Sequence, residues 1–74
     1  MTKTIDIVAN ITGVVWTVDV EVGQRLDEDD PVVTLESMKM EIPVGAPCSG
    51  EIVEILVSKD DPVAEGQTVA RLRP

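Results

Sequence analysis

Histidine, phenylalanine and tyrosine are absent from the chain, and cysteine occurs once, at Cys48. With a single cysteine no intramolecular disulfide forms, and with no histidine or second thiol beside it there is nothing to complete a metal site. Cys48 also has no evident base, so the thiol reads as a small hydrophobe and an independent enzyme is not expected. The acidic pairs Asp29-Asp30 and Asp60-Asp61 are adjacent residues in turn-like sequence, which reads as solvated rather than catalytic. Cations are scarce too: 6 Lys and Arg face 14 Asp and Glu, a net charge of −8. Nucleic acid needs a basic patch that is missing here, and an anionic membrane surface is disfavoured on the same ground. The partners expected are basic or apolar docking surfaces. The opening residues Met1-Thr2-Lys3-Thr4-Ile5-Asp6 mix charge with short apolar steps, giving neither a signal peptide nor a membrane span, and a cytoplasmic location is expected.

What the chain does have is aliphatic, β-branched residues. Trp16 is the sole aromatic, so the core is left to Val, Ile and Leu, a composition that favours sheet. The 74 residues allow one small domain, 1–74, burying about 60% of its unfolded surface and stable by roughly 4–11 kcal/mol. Thr4-Ile5-Asp6-Ile7-Val8 alternates as a first strand ending near Ala9-Asn10, and Gly13 opens a longer apolar run from Val14 to Val22. Gly23-Gln24 and Asp27-Glu28-Asp29-Asp30 carry turn chemistry.

An offset of 37 residues lays the second half over the first: Gly13 on Gly50, Val15 on Ile52, Val18 on Ile55, Val20 on Val57, Leu26 on Val63, Glu28 on Glu65, Val32 on Val69 and Leu35 on Leu72. The coincidence of apolar positions at irregular steps marks an internal duplication. Two repeats are too few for a solenoid, so each half buries its apolar face against the other in a two-fold related sandwich of short antiparallel strands. Within each repeat the apolar steps run three, then two. Strand faces alternate with period two, so the three-step predicts a bulge, at Trp16 in one half and Val53 in the other. Gly23 stands on Asp60 and Asp29 on Gly66, and since Asp tolerates left-handed backbone, each turn can keep its geometry without its glycine. The interior expected from the repeat includes Val20, Ile55 and Val57.

Between the halves lies Glu36-Ser37-Met38-Lys39-Met40-Glu41, flanked by Pro31-Val32-Val33-Thr34-Leu35 and Ile42-Pro43-Val44. Two strands meeting at Met38-Lys39 form a hairpin with lysine at its tip. Such turns favour Asn and Gly, because a type I′ turn needs positive φ at both central residues. Met-Lys breaks that local rule, and a broken local rule marks a candidate functional site. The plain alternative is an ordinary hairpin with a solvated lysine. Nothing in the neighbouring sequence desolvates Lys39 or sets a second cation beside it, as a catalytic lysine requires, so Lys39 reads as a substrate. The flexible, polarizable Met38 and Met40 suit contact with more than one pocket.

Glu-Ser-Met-Lys-Met-Glu resembles the biotin-acceptor hairpin of biotin carboxyl carrier domains, in the biotinyl/lipoyl attachment family. The resemblance runs from about Ile11 to Leu72 and includes Ala46-Pro47 and Gly50. It implies an all-β fold, a flattened barrel of two four-stranded antiparallel sheets with pseudo-two-fold symmetry. It also implies biotin in amide linkage to Lys39, with Met38 and Met40 as flanking recognition residues and Glu36 and Glu41 on the hairpin flank. The family implies a non-catalytic carrier of an acyl-CoA carboxylase of acetyl-CoA or propionyl-CoA type, with a role in fatty acid biosynthesis. Its partners would be biotin protein ligase, biotin carboxylase and carboxyltransferase. Family members usually have glycine at all four turn positions, so Asp29 and Asp60 are departures. With no Ala/Pro-rich linker in view, a free-standing subunit is expected. A lipoyl carrier shares the fold and the hairpin lysine but usually has Asp-Lys-Ala, and an unmodified interaction module on the same scaffold is the remaining alternative. The hairpin's symmetry mate is expected to be formed by the first and last strands, near Ala9-Asn10 and Leu72-Arg73-Pro74, with the termini at one end and the lysine at the other.

Overall fold

Valine, isoleucine and leucine alternate along short segments punctuated by Gly, Asp and Pro, and the described residues fold accordingly into strands alone. The computed structural model describes residues 3–74; Met1 and Thr2, the start of the charged N-terminal stretch, lie outside the described residues. The strands are β1 (Ile5–Val8), β2 (Gly13–Val18), β3 (Arg25–Leu26), β4 (Pro31–Ser37), β5 (Met40–Gly45), β6 (Gly50–Ile55), β7 (Pro62–Val63) and β8 (Thr68–Arg73). They form two four-stranded antiparallel sheets, ordered β1-β8-β6-β3 and β5-β4-β2-β7.

The duplication is visible bond by bond. The Gly23 amide donates to the Ile52 carbonyl at 2.7 Å, and its mate, the Asp60 amide, donates to Val15 at 2.7 Å. Asp29 donates to Ala46 at 2.9 Å as Gly66 does to Ala9 at 2.8 Å. Each half thus uses a left-handed turn to hook onto the other half. All four turn residues have positive φ: Gly23 94°, Asp60 74°, Asp29 72° and Gly66 85°. The two aspartates therefore keep the glycine geometry, as expected. Side chains close the turns in a crossed pattern. Gln24 accepts from the Glu21 amide at 3.1 Å and its mate Asp61 from Ser58 at 2.9 Å, while Asp30 accepts from Asp27 at 2.9 Å and its mate Gln67 from Ala64 at 3.0 Å.

The core between the sheets is built from two-fold mates. Val15 and Ile52, Val32 and Val69, Val33 and Ala70, and Leu35 and Leu72 are all fully buried. The β2–β4 ladder skips between Val15 and Thr17 and the β6–β8 ladder between Ile52 and Glu54, so the bulges fall at Trp16 and Val53 as the three-step predicts. Cys48 is half-buried and packs against the core.

Two expectations are corrected. Ile55 is not interior but half-buried at the core's margin, like its mate Val18. Each is the last residue of its strand, where the sheet's cover ends; Val20 and Val57 beyond them turn back in and are buried. Within the apolar run Val14–Val22, strand pairing stops at Val18, and Val22 is exposed in the turn. The mate of the lysine hairpin is formed by the first and last strands, as expected, with Ile5 facing Leu72 as Ile42 faces Leu35, but it does not lie near Ala9-Asn10. Ala9 and Asn10 lie past the other end of β1, because antiparallel pairing carries the chain away from Leu72; Ala9 is buried and bonds to Gln67.

Candidate functional site at the β4–β5 hairpin

The hairpin stands on a buried base. Val33 and Val44 face each other across the β4–β5 ladder, both buried, and fully buried Leu35 faces half-buried Ile42. Above them Glu36 pairs with Glu41 and Ser37 with Met40, which leaves Met38 and Lys39 as a two-residue turn. Their φ values are 51° and 67°, the left-handed backbone of a type I′ turn. For residues other than Gly, Asn or Asp this costs on the order of 1–3 kcal/mol each, a cost the packed base below absorbs. β2 braces the outer end: a side-chain carbon on Gly13 would stand 2.5 Å from the Glu36 carbonyl oxygen, and the mate Gly50 has the same relation to the Arg73 carbonyl at 2.5 Å.

The tip faces solvent on every side. Met38 is 93% and Met40 63% exposed, so neither methionine folds inward, and Lys39 is exposed between them. Among the described residues three ion pairs form, Arg71–Asp6, Arg71–Glu54 and Arg73–Glu51, and none involves Lys39. Glu36 and Glu41 face each other as like charges, an arrangement unfavourable to the ladder. The hydrogen bond to Glu54, and then that to Asp6, raises the Arg71 guanidinium above its already high ordinary pKa. The arrangement offers one primary amine, on a short and well-anchored arm, to a separate protein.

All five residues singled out in the sequence, Lys39, Met38, Met40, Glu36 and Glu41, lie together in this hairpin. Two neighbours were not foreseen. Trp16 is 43% exposed, outside a core left to Val, Ile and Leu; the signal for its outward side chain was its bulge position, which turns it away from Val15. The Asn10 side-chain amide donates to the Pro43 carbonyl at 3.4 Å, tying the β1–β2 loop to β5, and nothing in the sequence marks that contact. Among the described residues no helix is long and apolar enough to cross a membrane.

Comparison with known proteins agrees with this geometry. The family Biotin_lipoyl, described as "Biotin-requiring enzyme", matches residues 4–72. A biotin/lipoyl attachment protein of Bacillus subtilis is 38% identical over 72 residues, which is 97% of this chain and 93% of the relative. The alpha subunit of mitochondrial methylcrotonoyl-CoA carboxylase of Arabidopsis thaliana is 39% identical over 67 residues, 90% of this chain but only 9% of that subunit. Among solved structures, the urea carboxylase of Kluyveromyces lactis superposes with a TM-score of 0.90 at 32% identity, covering 97% of this chain and 6% of the enzyme. The chain thus spans nearly the whole of one relative and a small part of the large carboxylases.

Proposed function

The chain belongs to the biotin/lipoyl attachment family, and from that premise we propose that it is a biotin carboxyl carrier with biotin in amide linkage on Lys39. The observation that carries this reading is the tip itself: a solvated lysine in a left-handed turn, set between two exposed methionines. A tethered prosthetic group needs no cavity in its carrier; it needs one accessible amine on an arm that partners can enclose, and the residues present fit that need.

Each neighbour has a defined task. Lys39 supplies Nζ, which forms one bond to the biotinyl carbonyl carbon as the bond from that carbon to its activating group breaks. The ammonium sheds two protons and ends as a neutral amide N–H. Biotin protein ligase arranges the deprotonation, since nothing in this chain does so. Arginine does not replace this lysine, because the guanidinium neither deprotonates nor acylates readily. Met38 and Met40 present soft apolar contact on either side, suited to a ligase and to catalytic sites of different shape. Glu36 and Glu41 frame the arm as anions.

When bound, biotin supplies the group that takes up a carboxyl at a biotin carboxylase site and gives it up at a carboxyltransferase site. The chain itself catalyses nothing in this scheme; 1–74 acts as one carrier domain, and tethering raises the local concentration of the reacting group to about millimolar. An acyl-CoA carboxylase of acetyl-CoA or propionyl-CoA type, operating in the cytoplasm in fatty acid synthesis, is the assembly the reading favours. A lipoyl carrier is the second reading, supported by the Bacillus subtilis relative whose name covers both groups. Intact-mass spectrometry of the protein from its host separates them: a biotinyl adduct supports the proposal, whereas a lipoyl adduct or the bare chain overturns it.

A further inference from the structure

The two sheets share a strand pattern and differ in how the charges on their outer faces are paired. On the outer face of the β1-β8-β6-β3 sheet, Glu51 is paired with Arg73, and Arg71 with both Asp6 and Glu54. The two-fold mates of those residues on the β5-β4-β2-β7 sheet are Val14 for Glu51, Glu36 for Arg73, Thr34 for Arg71, Pro43 for Asp6 and Thr17 for Glu54. Every ion pair among the described residues is therefore on the sheet without the lysine. On the other sheet Val14, 41% exposed, pairs on one side with exposed Pro62 and on the other with Glu36. Beside it Trp16 is 43% exposed. Three carboxylates border this apolar strip without a cation partner among the described residues: Glu36 and Glu41, face to face, and Asp19, held by the hydroxyls of Thr17 at 2.9 Å and Thr34 at 2.8 Å. The sole lysine of this sheet, Lys39, becomes a neutral amide on acylation.

We infer that the outer face of the β5-β4-β2-β7 sheet, centred on Trp16 and Val14 and bordered by Asp19, Glu36 and Glu41, docks the biotin carboxylase component through an Arg- and Lys-rimmed apolar patch, and that loss of the Lys39 charge strengthens this docking. The inference rests on the biotin reading and adds to it where the loaded carrier is recognised. Aromatic residues with a charged border are what an interface core and rim require. An unpaired like-charge pair is tolerated in a ladder at some cost, and a partner's cation between Glu36 and Glu41 relieves it. Because the ammonium opposes such a cation, a basic partner favours the acylated arm over the free one by charge alone. A ligase, which must release its acylated product, gains nothing from that preference; the component that receives the acylated but not yet carboxylated arm, the biotin carboxylase, does.

The test titrates the isotope-labelled protein with the biotin carboxylase of its host, without ATP or bicarbonate, by nuclear magnetic resonance and calorimetry. Amide shifts are expected on β2, β4 and β5 and not on β6 and β8. Trp16→Ser is expected to weaken binding about tenfold, whereas Leu56→Ser, removing a side chain of nearly equal exposure (42% against 43%) beside β6, leaves it unchanged. Glu41→Gln weakens it with the fold intact, so that the result does not depend on Trp16→Ser alone. Lys39→Gln, neutral and unable to carry biotin, is expected to bind about threefold more tightly than the unmodified lysine form at low salt and equally at high salt. Shifts confined to β6 and β8, wild-type affinity in Trp16→Ser, no gain in Lys39→Gln or no binding at all would each overturn the inference. The adduct mass, measured beforehand, reports separately on the biotin reading.

Discussion

Gly13 lies so close beneath the last turn of β4 that a methyl group there would stand 2.5 Å from the Glu36 carbonyl oxygen. That contact lets β2 lie flush along the base of the lysine hairpin, and its two-fold copy, Gly50 against Arg73, closes the terminal strands in the same way. The obstacle is backbone, which has little room to retreat. Gly13→Ala is expected to lower stability by about 1–3 kcal/mol, read as the shift of a urea unfolding midpoint at constant slope, with Gly50→Ala close to it. Stability equal to the parent in Gly13→Ala would show that the hairpin is not braced there.

The turn stores strain that a better turn sequence should release. Met38→Asn with Lys39→Gly places residues at φ 51° and 67° that occupy this region readily. The double variant is expected to gain roughly 1–3 kcal/mol and to lose the acceptor. A lower thermal midpoint than the parent would contradict the strained type I′ assignment.

Asp29 and Asp60 test the same point away from the site. Asp60→Gly matches its mate Gly23 and is expected to be neutral within about 1 kcal/mol, the relief of positive φ offset by chain entropy. Asp60→Ala, keeping a Cβ at φ 74° and losing the polar side chain that tolerates it, is expected to be the less stable of the two. Calorimetric unfolding of both variants decides this, and the reverse order would show that the turn does not require left-handed backbone.

The duplicated core gives the largest expected effect. Ile52→Asp sets an unpaired carboxylate at a fully buried position and should cost several kcal/mol, about enough to unfold a domain of this size. Ile55→Asp, at the half-buried margin, should cost clearly less. Glu54 is no bystander, since it receives Arg71 at 2.6 Å; Glu54→Lys replaces that pair with a repulsion, yet the pair is solvent-exposed and screened, so its loss costs the least of the three. Circular dichroism melts of the three should rank them in that order, and equal midpoints for Ile52→Asp and Glu54→Lys would contradict the assignment of faces.

The repeat made most of the fold legible in advance. Apolar matches such as Val32 on Val69 and Leu35 on Leu72 name the fully buried residues, and the three-step places both bulges, because side-chain alternation leaves no other way to keep Val15, Val18 and Ile52, Ile55 inward-leaning. What the repeat does not encode is where burial fades. Ile55 and Val18 match as well as any pair, but solvent cover at a strand's end depends on how far the facing sheet extends. The hairpin was legible for a different reason: Met-Lys is a poor turn, and the misfit drew attention to it. The exposure of Trp16 was legible only in part: composition leaves the core to the aliphatic residues and the repeat puts a bulge at Trp16, but neither says which way the bulged side chain points.

The central claim is that Lys39 is the residue that receives biotin. Co-expression with biotin protein ligase followed by intact-mass spectrometry and avidin binding tests it on three forms. Lys39→Arg keeps the charge of an exposed side chain and should leave stability within about 0.5 kcal/mol of the parent. Lys59, in the turn after β6 and without flanking methionines, is the control. The account predicts one biotinyl adduct on the parent and on Lys59→Arg and none on Lys39→Arg; an avidin-binding Lys39→Arg protein, or loss of the adduct in Lys59→Arg, would contradict it.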